Sequence, residues 1–191
     1  MDHKEAIKKI FSDSIDAQKR FADDPSRVAA VVDAVCAIVD CYKKGGKVLI
    51  CGNGGSASDA QHMAAELVVR FEKERRSLPC IALSSDQASL TAIGNDYDFS
   101  RVFSRQIDAF ARDGDVVIAI STSGNSPNIL EAVKAAKQKK AVVIALGGRD
   151  GGKLAPLADI PVIVNAKNTG RIQEVHAVVI HAVCKLVEEA F

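Results

Sequence analysis

Two hydrophobic periods divide the chain. Near its start Ile7, Ile10, Phe11, Ile15 and Phe21 recur at the three- and four-residue intervals of a single helical stripe. Asp23-Asp24-Pro25 breaks that stripe, and a second helix follows with Val28, Val31, Val32, Val35, Ile38, Val39 and Tyr42. These residues spread over more than one helical face. The second helix therefore needs cover on two sides, and the expectation is that its own sheet supplies one and another subunit the other.

After Gly45-Gly46 the pattern changes to short, continuous apolar runs at Val48 to Cys51, Cys80 to Leu83, Val116 to Ile120, Val142 to Leu146 and Val162 to Val164. Helical patterns alternate with them over roughly 57–72, 99–111, 127–138 and 170–190. Runs without polar alternation, separated by helices, describe a parallel sheet covered on both faces. The predicted fold is α/β: a doubly wound, five-stranded parallel sheet of flavodoxin-like order 2-1-3-4-5, with an N-terminal helical pair. Residues 1–44 are read as oligomerisation helices and 45–191 as the α/β domain. In that order the first and third strands are neighbours, and a ligand is expected in the crevice at their carboxyl ends.

The loops at those two ends carry the candidate chemistry. Ile120-Ser121-Thr122-Ser123-Gly124-Asn125-Ser126-Pro127-Asn128 leaves the third run and opens a helix, with four hydroxyls between residues 121 and 126. Unpaired N–H groups and the positive dipole end of a helix favour a phosphate there, with Ser126 as cap and Pro127 at the first helical position. The first run likewise enters Gly52-Asn53-Gly54-Gly55-Ser56-Ala57-Ser58 and a helix bearing His62 and Glu66. Two cradles imply a phosphorylated ligand held from two sides. The first loop departs from a dinucleotide fingerprint, because Ala57 takes the place of the third glycine and no acidic residue ends the second run; no Walker lysine is present either. NAD and ATP are disfavoured.

His62 and Glu66, four residues apart, share one helix face, a spacing that suits a metal or an acid–base pair as well as a plain ion pair. Polar side chains also enter the apolar last helix at Gln173, His176 and His181. Gln173 and His181 lie on roughly one face with His176 to the side, so His181 is favoured for function and His176 for structure.

Taken together, Cys51-Gly52-Asn53-Gly54-Gly55-Ser56, Asp59-Ala60-Gln61-His62 with Glu66, Gly94-Asn95-Asp96, Ser121 to Ser126, Asp150-Gly151-Gly152-Lys153 and Arg171-Ile172-Gln173-Glu174 with His181 resemble the sugar-isomerase (SIS) domain family. The resemblance implies an aldose–ketose isomerase acting on a phosphorylated sugar. Ser121, Thr122, Ser123 and Ser126 would hold the phosphate; Asn53, Gly54, Gly55, Asn95, Asp96, Glu66 and Gln173 would meet the sugar. Glu66 and His181 would be the acid–base groups, and zinc would sit on His62, Glu66, Gln173 and His181. It also implies a homotetramer with sites at subunit boundaries. The alternative is a non-catalytic phosphosugar sensor or a replication-initiator-associating protein, disfavoured because Glu66 and His181 are both present.

Composition narrows the remainder. With 25 basic and 24 acidic side chains in 191 residues, the net charge of +1 gives no electrostatic case for nucleic acid or an anionic membrane. No apolar run approaches the ~20 residues that span a bilayer, and the charged N-terminus lacks a signal-peptide pattern, so a cytoplasmic protein is expected. Five cysteines without a C-x-x-C pair read as buried, reduced thiols.

Overall fold

The structure, a computed structural model, describes residues 2–191. Helix α1 (His3–Ala22) is followed by α2 (Pro25–Lys43); Asp24 caps α2 by accepting the Ser26 N–H at 3.0 Å, and Pro25 starts the helix. The interruption read at Asp23-Asp24-Pro25 is thus a helix cap.

Strands β1 (Val48–Cys51), β2 (Cys80–Ala82), β3 (Val116–Ser121), β4 (Val142–Gly148) and β5 (Ile160–Val164) form one parallel sheet of order β2-β1-β3-β4-β5. The doubly wound order expected from the sequence is the order observed. Every residue of β1 and β3 is buried, which is why these strands read as unbroken apolar runs. Helices α3 (Gly55–Val68), α4 (Gln87–Asp96), α5 (Ser104–Phe110), α6 (Pro127–Gln138) and α7 (Thr169–Glu188) complete the chain, with short 3₁₀ turns at Phe99–Arg101 and Ala155–Leu157.

Alternate strand residues feed two cores. Val48, Ile50, Val116, Ile118 and Ile144 face a core closed by α2, α3 and α7; Leu49, Val117, Ala119 and Val143 face one closed by α5 and α6. Phe21, Ile38 and Tyr42 of the N-terminal pair belong to the first core. The N-terminal part of the same α1 stripe does not: Ile7, Ile10, Phe11 and Ile15 are each more than half exposed. Of the cysteines, Cys36 is exposed and the other four are buried, all as free thiols.

Helix boundaries differ from the sequence reading in three places. The helix read over 99–111 is broken: Asp98 accepts the Ser100 N–H and caps a 3₁₀ turn at Phe99–Arg101, and α5 starts afresh at Ser104. α3 stops at Val68 because the side chain of Arg75 donates to the carbonyls of Glu66 and Val69 at 2.7 and 3.3 Å, while Glu188 takes the N–H groups of the residues that would continue the helix. α4 carries no predicted counterpart. None of its residues is fully buried; the partly buried pair Leu90 and Ile93 is too short a stripe to announce it, and its start is fixed by Asp86 accepting the Ser89 N–H.

Candidate active site

β1 and β3 are adjacent and end together, so the loops that follow them face each other. After Ser121 the chain turns through Gly124, whose φ of 66° and close approach to the Gly151 carbonyl (a Cβ would lie 2.1 Å from it) admit only glycine. The Ser121 hydroxyl lies 3.1 Å from that of Ser126 and 3.5 Å from that of Ser123. Ser126 occupies the cap position of α6, as expected, but makes no side-chain cap bond; its hydroxyl turns to Ser121. The α6 N-terminus therefore keeps its dipole and the Asn128 N–H for a ligand, since Pro127 has no N–H and Ile129 donates to the Ser126 carbonyl at 3.1 Å; the hydroxyls of Ser121, Thr122, Ser123 and Ser126 lie along one short loop.

The β1 loop is shaped by Gly54, at φ 56° and ψ −122°, and by Gly55, where a Cβ would stand 2.3 Å from the Gln173 amide nitrogen. Gln173 thus lies directly on the start of α3. Asn53 joins the two loops: its amide donates to Asn128 Oδ1 at 2.9 Å and accepts from Asn128 Nδ2 at 2.8 Å. Asn128 is buried, and its role had no signal in the sequence beyond its place inside the α6 N-terminus. A cleft of about 310 Å³ opens beside this pair, lined by Asn53, Ser126, Pro127, Asn128 and the turn residues Asp98, Phe99 and Ser100. α4 packs against that turn and ends in exposed Asn95 and Asp96, hydrogen-bonded to each other at 2.8 Å.

Further along α3, His62 Nε2 stands 3.2 Å from Glu66 Oε1 and 3.4 Å from His181 Nε2, with the imidazole rings edge-to-face at 5.0 Å. Facing imidazole nitrogens need a proton on one of them or a cation between them. Donor atoms about 2.0–2.1 Å from a tetrahedral zinc lie about 3.3 Å from one another, so both separations match an edge of such a site. Among the described residues no three His, Cys, Asp or Glu side chains close around one point, and an ion here needs a further donor or a side-chain rotation. One turn before His62, Asp59 has a buried Oδ2 without a partner; burial pushes its carboxyl up, against the pull of His62.

The last helix separates the roles of its polar residues. His176 is fully buried and its Nε2–H donates to the Gly147 carbonyl at 3.0 Å, beside Ser121 in the sheet register. Burial drives its pKa down to about 4, the Gly147 bond pulling the other way, so it is a neutral structural group. Gln173 and His181 lie about 12 Å apart along α7, and Gly55 and His62 about 10 Å apart along α3. The β1 loop and the His62–Glu66–His181 cluster are therefore about two helical turns apart along α3 and α7. A ligand meets both only as an extended chain with phosphate at one end and carbonyl at the other, or where neighbouring chains juxtapose them.

A family model described as SIS domain matches residues 12–148. The chain is 56% identical over 159 residues to a phosphoheptose isomerase of Citrifermentans bemidjiense, covering 83% of each chain. The solved phosphoheptose isomerase from Francisella tularensis is 40% identical with a TM-score of 0.94, covering 99% of this chain and 100% of that one. That from Neisseria gonorrhoeae is 45% identical with a TM-score of 0.91, covering 97% and 98%.

Proposed function

Since the chain belongs to the SIS-domain family and to the phosphoheptose isomerases within it, we infer that it interconverts sedoheptulose 7-phosphate and D-glycero-D-manno-heptose 7-phosphate. The observation that carries the chemistry is the cluster of His62, Glu66 and His181 beyond a phosphate cradle.

Aldose–ketose exchange moves a proton between adjacent carbons through an enediol. It needs a base at carbon, an acid at oxygen and stabilisation of the enediolate charge. Ser121, Thr122, Ser123, Ser126 and the α6 N-terminus hold the phosphate and so fix the distant carbonyl. Asn53, Gly54, Gly55, Asn95, Asp96 and Gln173 meet the hydroxyls. Glu66 takes the proton from carbon and His181 serves the oxygens, each role worth about 10² to 10⁴-fold. The donor chemistry fits zinc, which would be held by His62, Glu66 and His181, with Gln173, about 12 Å from His181 along α7, joining them only where a neighbouring chain brings its copy to the cluster; when bound, the metal would polarise the carbonyl and stabilise the enediolate.

The assembly is a homotetramer with sites completed at subunit boundaries. Supporting this, the exposed stripe of α1 continues into an apolar groove of about 550 Å³ between α1, α2 and α7, lined by Ile15, Val28, Val32, Val178 and Leu186. The reaction stands at the head of nucleotide-activated heptose synthesis for lipopolysaccharide core, in the cytoplasm.

The test is proton exchange. Incubation with sedoheptulose 7-phosphate in deuterated water should place deuterium on the carbon next to the carbonyl and yield the aldose, and Glu66→Gln should abolish both. Tight binding of the sugar phosphate without exchange or product would instead make the protein a sensor.

A further inference from the structure

We propose that residues 69–76 form a positioning strap for the acid–base cluster, and that Glu188, at the end of α7, sets it. The proposal rests on the isomerase reading and adds residues to it that touch neither substrate nor reacting atoms.

Glu188 is 2% exposed, and its carboxylate accepts the main-chain N–H groups of Phe71, Glu72 and Lys73 at 2.8, 2.7 and 2.6 Å. Arg75 Nε stands 3.4 Å away as its buried ion-pair partner. Two further grips come from the same end of α7: Lys185 pairs with Glu72, and the Arg76 guanidinium lies 4.8 Å above the ring of Phe191, which meets Tyr42 edge-on. A loop held only for stability could be held by apolar packing, since a buried ion pair gains little over well-packed hydrophobic side chains of the same volume. What this network does supply is a single geometry, because a carboxylate with three N–H donors is satisfied in one loop conformation.

That geometry ends at the two acid–base residues. Arg75 donates to the main-chain carbonyl of Glu66 at 2.7 Å and so fixes the last turn of α3, which carries the Glu66 carboxylate. Phe71 places its ring 5.5 Å from the His181 imidazole at a tilt of 32°, while His62 meets the same imidazole at 5.0 Å. His181 is bracketed, and one wall of the bracket belongs to the strap. Releasing the strap would free the side chains that must be held for proton transfer while leaving the phosphate cradle, built on β1 and β3, untouched.

The experiment compares Glu188→Ala, Glu188→Gln and Phe71→Leu with the wild-type holoenzyme on sedoheptulose 7-phosphate, with amide hydrogen exchange at residues 71–73 as a second readout. Glu188→Ala should exchange these amides faster and lose at least about tenfold in kcat with KM within about threefold; Glu188→Gln, which keeps an acceptor oxygen, should recover part of both. Phe71→Leu should keep the amides protected yet also lose at least about fivefold in kcat. Loosened amides with wild-type kcat in Glu188→Ala overturn the proposal, as does a KM that rises as far as kcat falls. Should Glu188→Ala not fold, wild-type kcat in folded Phe71→Leu overturns it. No turnover in the wild-type protein would remove the isomerase reading itself, an outcome distinct from a loss confined to the variants.

Discussion

Lowering the pH should destabilise this protein through one fully buried imidazole. His176 donates to the Gly147 carbonyl and is held neutral, with a pKa of about 4 against 6.5 in an unfolded chain. Between those values the unfolded chain binds the proton and the folded one does not, so stability is present above the unfolded pKa and is lost as the pH falls toward the folded one. At about 1.4 kcal/mol per tenfold in proton affinity, the whole gap is worth about 3 kcal/mol, of which about 2 kcal/mol is already lost at about pH 5. The control is His176→Gln, which offers Gly147 an N–H but takes no proton. Urea unfolding followed by circular dichroism, at one protein concentration and at about pH 7.5 and 5, gives the stability of each. Carboxylates titrate in both proteins and cancel. The gap between wild type and variant should shrink by about 2 kcal/mol on acidification. Parallel profiles would mean that the imidazole keeps its ordinary proton affinity inside the fold, and the linkage argument would be wrong.

Gly124→Ala forces a Cβ to within 2.1 Å of the Gly151 carbonyl at a left-handed φ, so the serine loop must move. KM for the sugar phosphate should rise at least about tenfold with the circular dichroism unchanged, and an unchanged KM would show that the phosphate binds elsewhere. Chelation should remove isomerase activity and added zinc should restore it; full turnover by protein shown metal-free by elemental analysis counts against the proposed ligand set. Light scattering of the full-length chain should give a tetramer, and deletion of residues 1–44 aggregates or smaller species, whereas a clean monomer of the full chain contradicts an interface on α1.

The sheet was legible because its inner strands are buried on both faces, which leaves an uninterrupted apolar signature in Val116 to Ile120 and its neighbours. The serine loop was legible for a related reason, since hydroxyls and glycine between a buried strand and a helix have few other uses. What stayed hidden depends on partners far along the chain. Arg70, Phe71 and Glu72 are compatible with helix, and the sequence pattern carries α3 on to residue 72. That stretch is extracted from the helix by Glu188, more than a hundred positions away, and no local pattern carries that information. The convergence of His62 on His181 lies in the same class. Each histidine is visible alone, but their meeting depends on α3 packing beside α7. α4 escaped for the opposite reason: only Leu90 and Ile93 turn toward the core, and only partly, which is too short a stripe to detect.

The reciprocal amide pair of Asn53 and Asn128 makes the joint between the two loops depend on the identity of single atoms. Each side chain gives one hydrogen bond and takes one, so the pair is complete only while both keep a nitrogen and an oxygen. Aspartate has nearly the same shape, yet at either position it would set oxygen against oxygen and bring a charge next to a buried neighbour. Hydrolysis of one amide, a change that leaves the outline of the side chain almost intact, would therefore turn the seam between the phosphate loop and the sugar loop from an attraction into a repulsion. The ageing chemistry of asparagine thus has a specific point of entry in this fold, at a contact that ties both halves of the ligand site together.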